Sequence, residues 1–401
     1  MKKTNKPLIF MSLLFGINGY KRAQREIWRL VYGKKSLLSF LEALFYETYI
    51  QNHEVEFVIN IKSKSDVAMA MKARAYYLLG KYDVCKDCLY KIKNITPEQR
   101  YLLADSYNQL SETEKAWEIY SSSELLKLPK TWLKLTNLVE NKQRYYNLLK
   151  LADKHHENDN ELLVLAAQRA NAYLDAVNFF ERKIKLKQLK QISNKEKIHK
   201  ELSLRALSSI ISVLNANGFQ PFLVSGTLLG VIRDGDFIPY DNDLDIGLFG
   251  LENYEKIRKI VSSSGLFTVL PNRSRKTLRV RHINGTPIDI FFHWRSGGRV
   301  WHGGVKVDWW NTEFELTTSV FRGLPILIPK DTNKYLTENY GQWKQHSPSF
   351  DSAIDTPNAV IVNNFEMLIH CLRQEYFNRA DSAKYANIIR NLKKEIRYES
   401  N

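Results

Sequence analysis

Cysteine is nearly absent: Cys85, Cys88 and Cys371 are the three in 401 residues. So small and odd a number argues against a disulfide framework and fits a reducing compartment. Cys85-Lys-Asp-Cys88 has redox or zinc-knuckle spacing. No second pair or nearby histidine completes a site, and residues three apart on a helix serve equally as small packing residues. Long apolar runs are missing too. The longest, Leu8 to Ile17, has about ten residues, against the ~20 of a transmembrane helix. It follows Met1-Lys-Lys-Thr-Asn-Lys6 as a signal peptide would, but no small-x-small cleavage site precedes Asn18-Gly19-Tyr20-Lys21-Arg22. A buried first helix or strand is expected there, in a cytoplasmic protein. There is no histidine-rich cluster, no Ser-His-Asp arrangement and no Walker-type loop. Acids are in deficit: 59 Lys and Arg against 43 Asp and Glu leave a net charge of +16. That surface favours anionic partners: nucleic acid, acidic lipid headgroups, nucleotides or phosphorylated glycans. Charge alone does not choose among them.

What is present is a globular balance, 44% apolar and 25% charged, enough for two or three domains. Residues 1–35 form an N-terminal segment, 36–190 an all-helical region and 191–401 a domain of different character. Within the helical region Ala73-Arg-Ala-Tyr76-Tyr-Leu-Leu79-Gly80 lies against Ala104-Asp-Ser-Tyr107-Asn-Gln-Leu110-Ser111 at an offset of 31. Weaker echoes follow around Leu133–Leu151 and Leu165–Phe180. A period near ~30 with small, aromatic and turn positions resembles tetratricopeptide-type hairpins. Such an array is either a surface for a protein partner or a platform packed on the next domain. Arg182 to Lys200 then carries eight Lys or Arg and one acid, Glu196. It is either a solvated linker or a peripheral contact for anionic membrane or glycan.

From Ile198 to Leu214 apolar residues keep helical spacing, ended by Asn217-Gly218. Pro221–Gly226 then reads as a short buried strand, Thr227–Ile232 as a helical turn, Leu244–Phe249 as a strand and Tyr254–Val261 as a helix. Leu278–Ile283 and Thr286–Phe292 flank Asn284-Gly285, a strong two-residue hairpin signal. That loop sets Val280 opposite Asp289 and His282 diagonally on the Asp289 face. A slip of one residue brings Arg279 or Arg281 there instead.

The chemistry concentrates in Gly226-Thr227 and in Asp241-Asn-Asp243-Leu-Asp245. Alternation on an extended segment puts the three acids on one face and Leu244 and Ile246 in the core. Carboxylates so close destabilise a half-buried strand unless a cation sits between them. Asp289, in Ile288-Asp-Ile-Phe291, is a lone acid among apolar residues and needs a partner if buried. Trp301-His302 and Asp308-Trp309-Trp310 add aromatic side chains, either core or sugar-stacking surface.

These residues resemble the LicD family, which includes phosphocholine transferases and fukutin-related polyol-phosphate transferases. The resemblance rests on Gly226-Thr-Leu-Leu-Gly230, Arg233, Phe237-Ile-Pro-Tyr-Asp241-Asn-Asp243-Leu-Asp245-Ile246 and Ile288-Asp289. Tyr340-Gly-Gln-Trp343 looks like a downstream family element, and the resemblance covers about Ile198 to Asn358. It implies an α+β, nucleotidyltransferase-like mixed sheet with flanking helices, behind the all-α repeats. It implies transfer of a phospho-group from a nucleotide-diphosphate donor, such as CDP-choline or a CDP-polyol, to a hydroxyl of a bacterial surface glycan. Gly226 and Thr227, with Arg233 and Asp241, would hold donor phosphate. Asp243, Asp245 and Asp289 would be catalytic and would ligate Mg²⁺ or Mn²⁺. Tyr240, where many members carry Trp, and Asn242, which interrupts the acids, bear on donor choice rather than on catalysis. The rival is a non-catalytic repeat scaffold with a degenerate transferase domain. A third reading, nucleotide addition to RNA, lacks any RNA-binding signature, so no nucleic-acid partner is expected.

Overall fold

The computed structural model of the protein describes residues 6–31, 36–156, 160–186, 188, 199–239, 241–347, 350–377 and 382–399. Tyr240 and most of the basic run between Arg182 and Lys200 lie outside them.

The amino-terminal half is all helix. Helices α1 (Lys6–Phe15), α2 (Lys21–Val31), α3 (Leu37–Gln51) and α4 (Val55–Ile59) lead into four hairpins. These pair α5 (Asp66–Leu78) with α6 (Tyr82–Tyr90), α7 (Pro97–Gln109) with α8 (Thr113–Tyr120), α9 (Pro129–Asn137) with α10 (Lys142–Lys154), and α11 (Leu162–Arg169) with α12 (Tyr173–Lys185). The starts of α5 and α7 are 31 residues apart, as are those of α6 and α8, so the sequence offset is a structural repeat. Ser65, Thr96 and Asn141 cap three of the helices, their side chains accepting N–H bonds from Ala68, Gln99 and Arg144. Gly80, Ser111 and Asn171, each following the first helix of a hairpin, take left-handed backbone and turn the chain back. Ala73, Ala104, Ala116 and Ala176 are fully buried where helices pack, because small side chains let two helices approach. The run Leu8–Ile17 is largely taken up by α1, and no described helix is long and apolar enough to cross a membrane. Cys85 and Cys88 lie buried on α6, where burial pushes the Cys85 thiol up to about 12 and suppresses its thiolate.

After α13 (Lys200–Asn215) the chain alternates: β1 (Phe222–Leu223), α14 (Ser225–Arg233), β2 (Leu244–Phe249), α15 (Tyr254–Ser262), β3 (Phe267–Val269), β4 (Thr277–His282) and β5 (Pro287–Ser296). There follow β6 (Arg299–Gly303), β7 (Val307–Thr312), β8 (Leu316–Phe321), β9 (Leu324–Pro329), α16 (Thr332–Tyr340), β10 (Ala359–Ile361), α17 (Asn364–Tyr376) and α18 (Ser382–Glu399). The fold is α+β. Its described strands form one mixed sheet in the order β10-β7-β6-β5-β2-β1-β9-β8, with β4 and β3 branching from β5. β2 and β5 run parallel, with Asp245 opposite Asp289. Leu244, Ile246, Leu248, Ile288, Ile290 and Phe292 share a core with Ile210 and Leu214 of α13 and Ile257 and Val261 of α15. That leaves the alternate residues of β2 and β5 to the opposite face.

The β4–β5 hairpin corrects the expected register. Arg279, not Val280, stands opposite Asp289, and Val280 faces Ile288. The loop holds three residues, with the His282 N–H on Thr286 O (2.9 Å) and the Gly285 N–H on His282 O (2.8 Å). The cause is tertiary. Asn284 is buried, its Nδ2 donating to Leu202 O (2.8 Å) and its Oδ1 accepting from the Thr286 N–H (3.0 Å). Gln51 Nε2 donates to Ile283 O (2.8 Å). His282 therefore enters the core, away from Asp289, and Arg279 and Arg281 take the Asp289 face.

The last two helices return to the helical half. α17 packs on α12, with the Phe180 and Tyr376 rings 5.5 Å apart and Tyr173 stacked on Phe365 at 5.3 Å. One apolar core thus runs through the hairpins and α17–α18, and a second lies beneath the sheet.

Candidate functional site

The site is built where β1 gives way to α14. Ser225 bends the chain there with a φ of +47°, a costly conformation for a residue with a Cβ. The bend brings the first turn of α14 onto the start of β2. The Gly226 N–H donates to Asp245 Oδ2 (3.0 Å), and Thr227 Oγ1 accepts from the Asp245 N–H (2.8 Å). Gly226 thus holds the Asp245 side chain and Thr227 holds its backbone. A Cβ on Gly226 would run into Asp241 Oδ2, so a larger residue there would push the Asp241 carboxylate aside. Thr227 itself is buried, with its hydroxyl turned to β2 rather than into the cleft.

Asp241, Asp243, Asp245 and Asp289 line one cleft of about 800 Å³, together with Ser225, Gly226 and Arg233. Asp241 and Asp243 lie in the loop before β2, and Asp245 and Asp289 sit side by side on β2 and β5. Burial first, then the charges of Asp243, Asp241 and Asp289, push the Asp245 carboxyl well above the usual carboxylate range. Burial raises Asp289 to about 6, against the pull of Arg279, whose Nε donates to its Oδ1 at 3.2 Å. Arg233, from the last turn of α14, holds Asp234 through two bonds of 2.9 Å.

Four oxygen-donor groups with raised pKa values among them fit a hard cation. Among the described residues no three His, Cys, Asp or Glu side chains stand close enough to enclose one ion. Asp243 and Asp245 can supply two carboxylates, leaving the other positions to phosphate oxygens and water, the mixture Mg²⁺ favours.

The facing wall contains Tyr340, Gln342 and Trp343, so the Tyr-Gly-x-Trp element and the acids meet in one cleft. Phe291, His302 and Trp309 close it. The His302 ring stacks between His293 (4.6 Å) and Trp309 (5.4 Å), and burial holds it well below its usual pKa, hence neutral. Trp301 and Trp310 pair with each other across β6 and β7 and do not line the cleft. Ser225 and His346 belong to the lining and went unmarked in the sequence. The left-handed φ of Ser225 is a backbone property that its residue type does not announce, and His346 arrives by the chain's path after α16.

Residues 218–331 match the LicD/FKTN/FKRP nucleotidyltransferase domain. The human ribitol-5-phosphate transferase FKTN is 26% identical over 198 residues, 46% of this chain and 41% of that protein. The mouse ribitol-5-phosphate transferase FKTN is 29% identical over 153 residues, 35% of this chain and 33% of its own length. The mouse ribitol 5-phosphate transferase FKRP is 41% identical over 61 residues, 14% and 12% of the two chains. The chain spans about two fifths of the length of the human relative.

Proposed function

We propose that this chain transfers a substituted phosphate from a nucleotide-diphosphate donor to a glycan hydroxyl. The observation that carries the reading is the convergence of Asp241, Asp243, Asp245 and Asp289 on one cleft beside the strained Ser225–Gly226 bend. The names of the relatives favour ribitol phosphate as the cargo; a CDP-activated donor, CDP-ribitol, is the form in which we expect it to arrive. Phosphocholine, glycerol phosphate or a sugar phosphate would use the same carboxylates. The acceptor in this reading is a surface glycan of the bacterial capsule, lipooligosaccharide or teichoic-acid kind.

Asp243 and Asp245 would hold Mg²⁺ or Mn²⁺, which would supply the positive charge that a diphosphate needs beside acids and that a leaving nucleoside monophosphate needs to depart. Thr227 and Gly226 keep Asp245 aimed at that position through the two bonds to its backbone and side chain. Asp241, Arg233 and Ser225 border the space for the donor phosphates. Asp289, with a pKa raised to about 6, is ionised at neutral pH yet more basic than an ordinary carboxylate. It accepts the proton of the incoming hydroxyl as the new oxygen–phosphorus bond forms and the bond to the nucleoside monophosphate breaks. The aromatic wall of Tyr340, Trp343 and Trp309 offers ring faces to a sugar or base.

Thermal melting with Mg²⁺ and CDP-ribitol, CDP-glycerol, CDP-choline, UDP-sugars or CTP tests this. A donor at ~100 times its dissociation constant adds about 2.7 kcal/mol. The expected result is a Mg²⁺-dependent shift with one donor, lost in Asp243→Asn. No shift with any donor overturns the reading in favour of a non-catalytic scaffold.

A further inference from the structure

A second cavity, of about 810 Å³, lies where the helical half meets the β3–β4 edge of the sheet. One wall is formed by α2 and by the first helices of all four hairpins, α5, α7, α9 and α11. The other wall is Arg279 and Arg281 of β4 with the segment after β3.

Its charge is one-sided. Nine Lys or Arg side chains, seven of them Arg, line it against three acids. Arg74, Arg273 and Arg279 are paired with Glu47, Glu366 and Asp289 outside the lining, so the excess rests on Arg29, Arg169 and Arg281. Each acid is already matched: Glu26 by Arg22 (3.1 Å), Glu98 by Lys130, and Asp105 by Lys134 (2.7 and 2.6 Å). Among the described residues Arg29 and Arg281 have no carboxylate partner, and Arg169 donates to two backbone carbonyls, Val139 O (3.0 Å) and Asn272 O (3.4 Å). Arg281 is half-buried and its Nε has no hydrogen-bond partner. Burial and the nearby Arg22 hold its pKa down to about 10. Cations crowded in this way are stabilised by an anion entering among them. Tyr77 and Tyr101 add aromatic faces to the same lining.

One row of side chains lies between the cavity and the acidic cleft, whose linings share no residue. Asp245 of β2 stands opposite Asp289 of β5, and Asp289 opposite Arg279 of β4. Arg279 holds Asp289 at 3.2 Å and also lines the second cavity. With donor phosphates placed beside Asp243 and Asp245, a nucleophile coming from the cavity reaches Asp289 by displacing Arg279 from it.

We infer that this cavity is an acceptor groove, binding a phosphate-bearing sugar or polyol chain and presenting its terminal hydroxyl past Arg279 to Asp289. The role of the reacting end rests on the transferase reading above; binding of the anionic chain does not. Arginine forks match phosphate oxygens in pairs, which fits the preponderance of Arg over Lys.

The test uses the full chain, fluorescence anisotropy and three labelled probes: a short poly(glycerol phosphate) oligomer, neutral maltohexaose, and an RNA oligonucleotide of equal charge. The expected result is salt-sensitive binding of poly(glycerol phosphate), none of maltohexaose, and weaker binding of RNA. Arg29→Gln with Arg281→Gln should weaken that binding about tenfold or more, with the melting temperature and the donor-induced shift unchanged. Arg29 is exposed on α2, so Arg29→Gln alone keeps the test valid if the double variant folds poorly. Unchanged oligomer binding in both variants overturns the groove even if donor binding holds. RNA binding as tight as poly(glycerol phosphate) overturns the glycan assignment. A variant-sensitive groove in a chain that binds no donor sustains the groove and overturns the transferase reading.

Discussion

Thr227 shows how one hydroxyl can matter to a site it does not enter. Its Oγ1 accepts the Asp245 N–H at 2.8 Å within a buried environment. Thr227→Val keeps the shape and removes the acceptor, leaving a backbone donor unpaired at about 1–3 kcal/mol. We expect a lower denaturation midpoint and a weakened donor-induced melting shift, both largely restored in Thr227→Ser. A Val variant with an unchanged midpoint and shift would show that the bond positions nothing. The pairing of Gly226-Thr227 with Asp243 and Asp245 is legible from residue type and order alone. That the threonine serves the strand backbone is not, because it depends on the angle at which α14 leaves β1.

At the scale of elements, the β4–β5 hairpin marks where local pattern stops being sufficient. Alternation at Leu278, Val280, Ile288 and Ile290 identifies both strands, and Asn284-Gly285 identifies the turn. The register is decided by partners far along the chain: Asn284 reaches Leu202 across 82 residues, and Ile283 is held by Gln51 across 232. Asn284→Ala removes both side-chain bonds from a buried tip. It should cost about 1–3 kcal/mol, measured by urea unfolding, whereas an exposed turn residue would cost a few tenths. Strands β6 to β10 are poorly legible for a related reason. Trp301 and Trp310 read either as core or as sugar-stacking surface, and they are cross-strand neighbours, a relation fixed only when the strands meet. The hairpins are the opposite case, since the small residues at the crossings and the Gly80 turn that mark the α5–α8 repeat are themselves residue-type choices, with Ser111 alone repeating the turn unannounced.

For the molecule as a whole, the seam between the helical half and the sheet is sensitive to acid. His53, just after α3, and His282, at the end of β4, face each other with rings 5.8 Å apart. Burial, aided by Arg205, holds His53 down to about 4; burial, with His53 and Arg205 adding to it, holds His282 down to about 3. The unfolded chain binds these protons near pH ~6.5 and the folded chain refuses them. Their contribution is therefore complete above ~6.5 and is lost as the pH falls towards 4. Asp245 and Asp289, whose carboxyls burial raises, act in the opposite sense, so the informative comparison is between variants. The fall in unfolding midpoint from pH 7 to 5 should be smaller in His282→Phe than in the parent. An equal fall in both would remove His282 from the account.

The return of α17 to α12 also has a consequence for the protein's synthesis. Gln168 and its partner Glu366 are 198 residues apart, and Phe180 awaits Tyr376 over a similar span. At ~5–20 residues per second, the ribosome takes roughly ten to forty seconds to supply the second half of that contact. During that interval the nascent helical array presents an uncovered apolar flank while the sheet is still being made. The flank closes once α17 has emerged and Tyr376 meets Phe180.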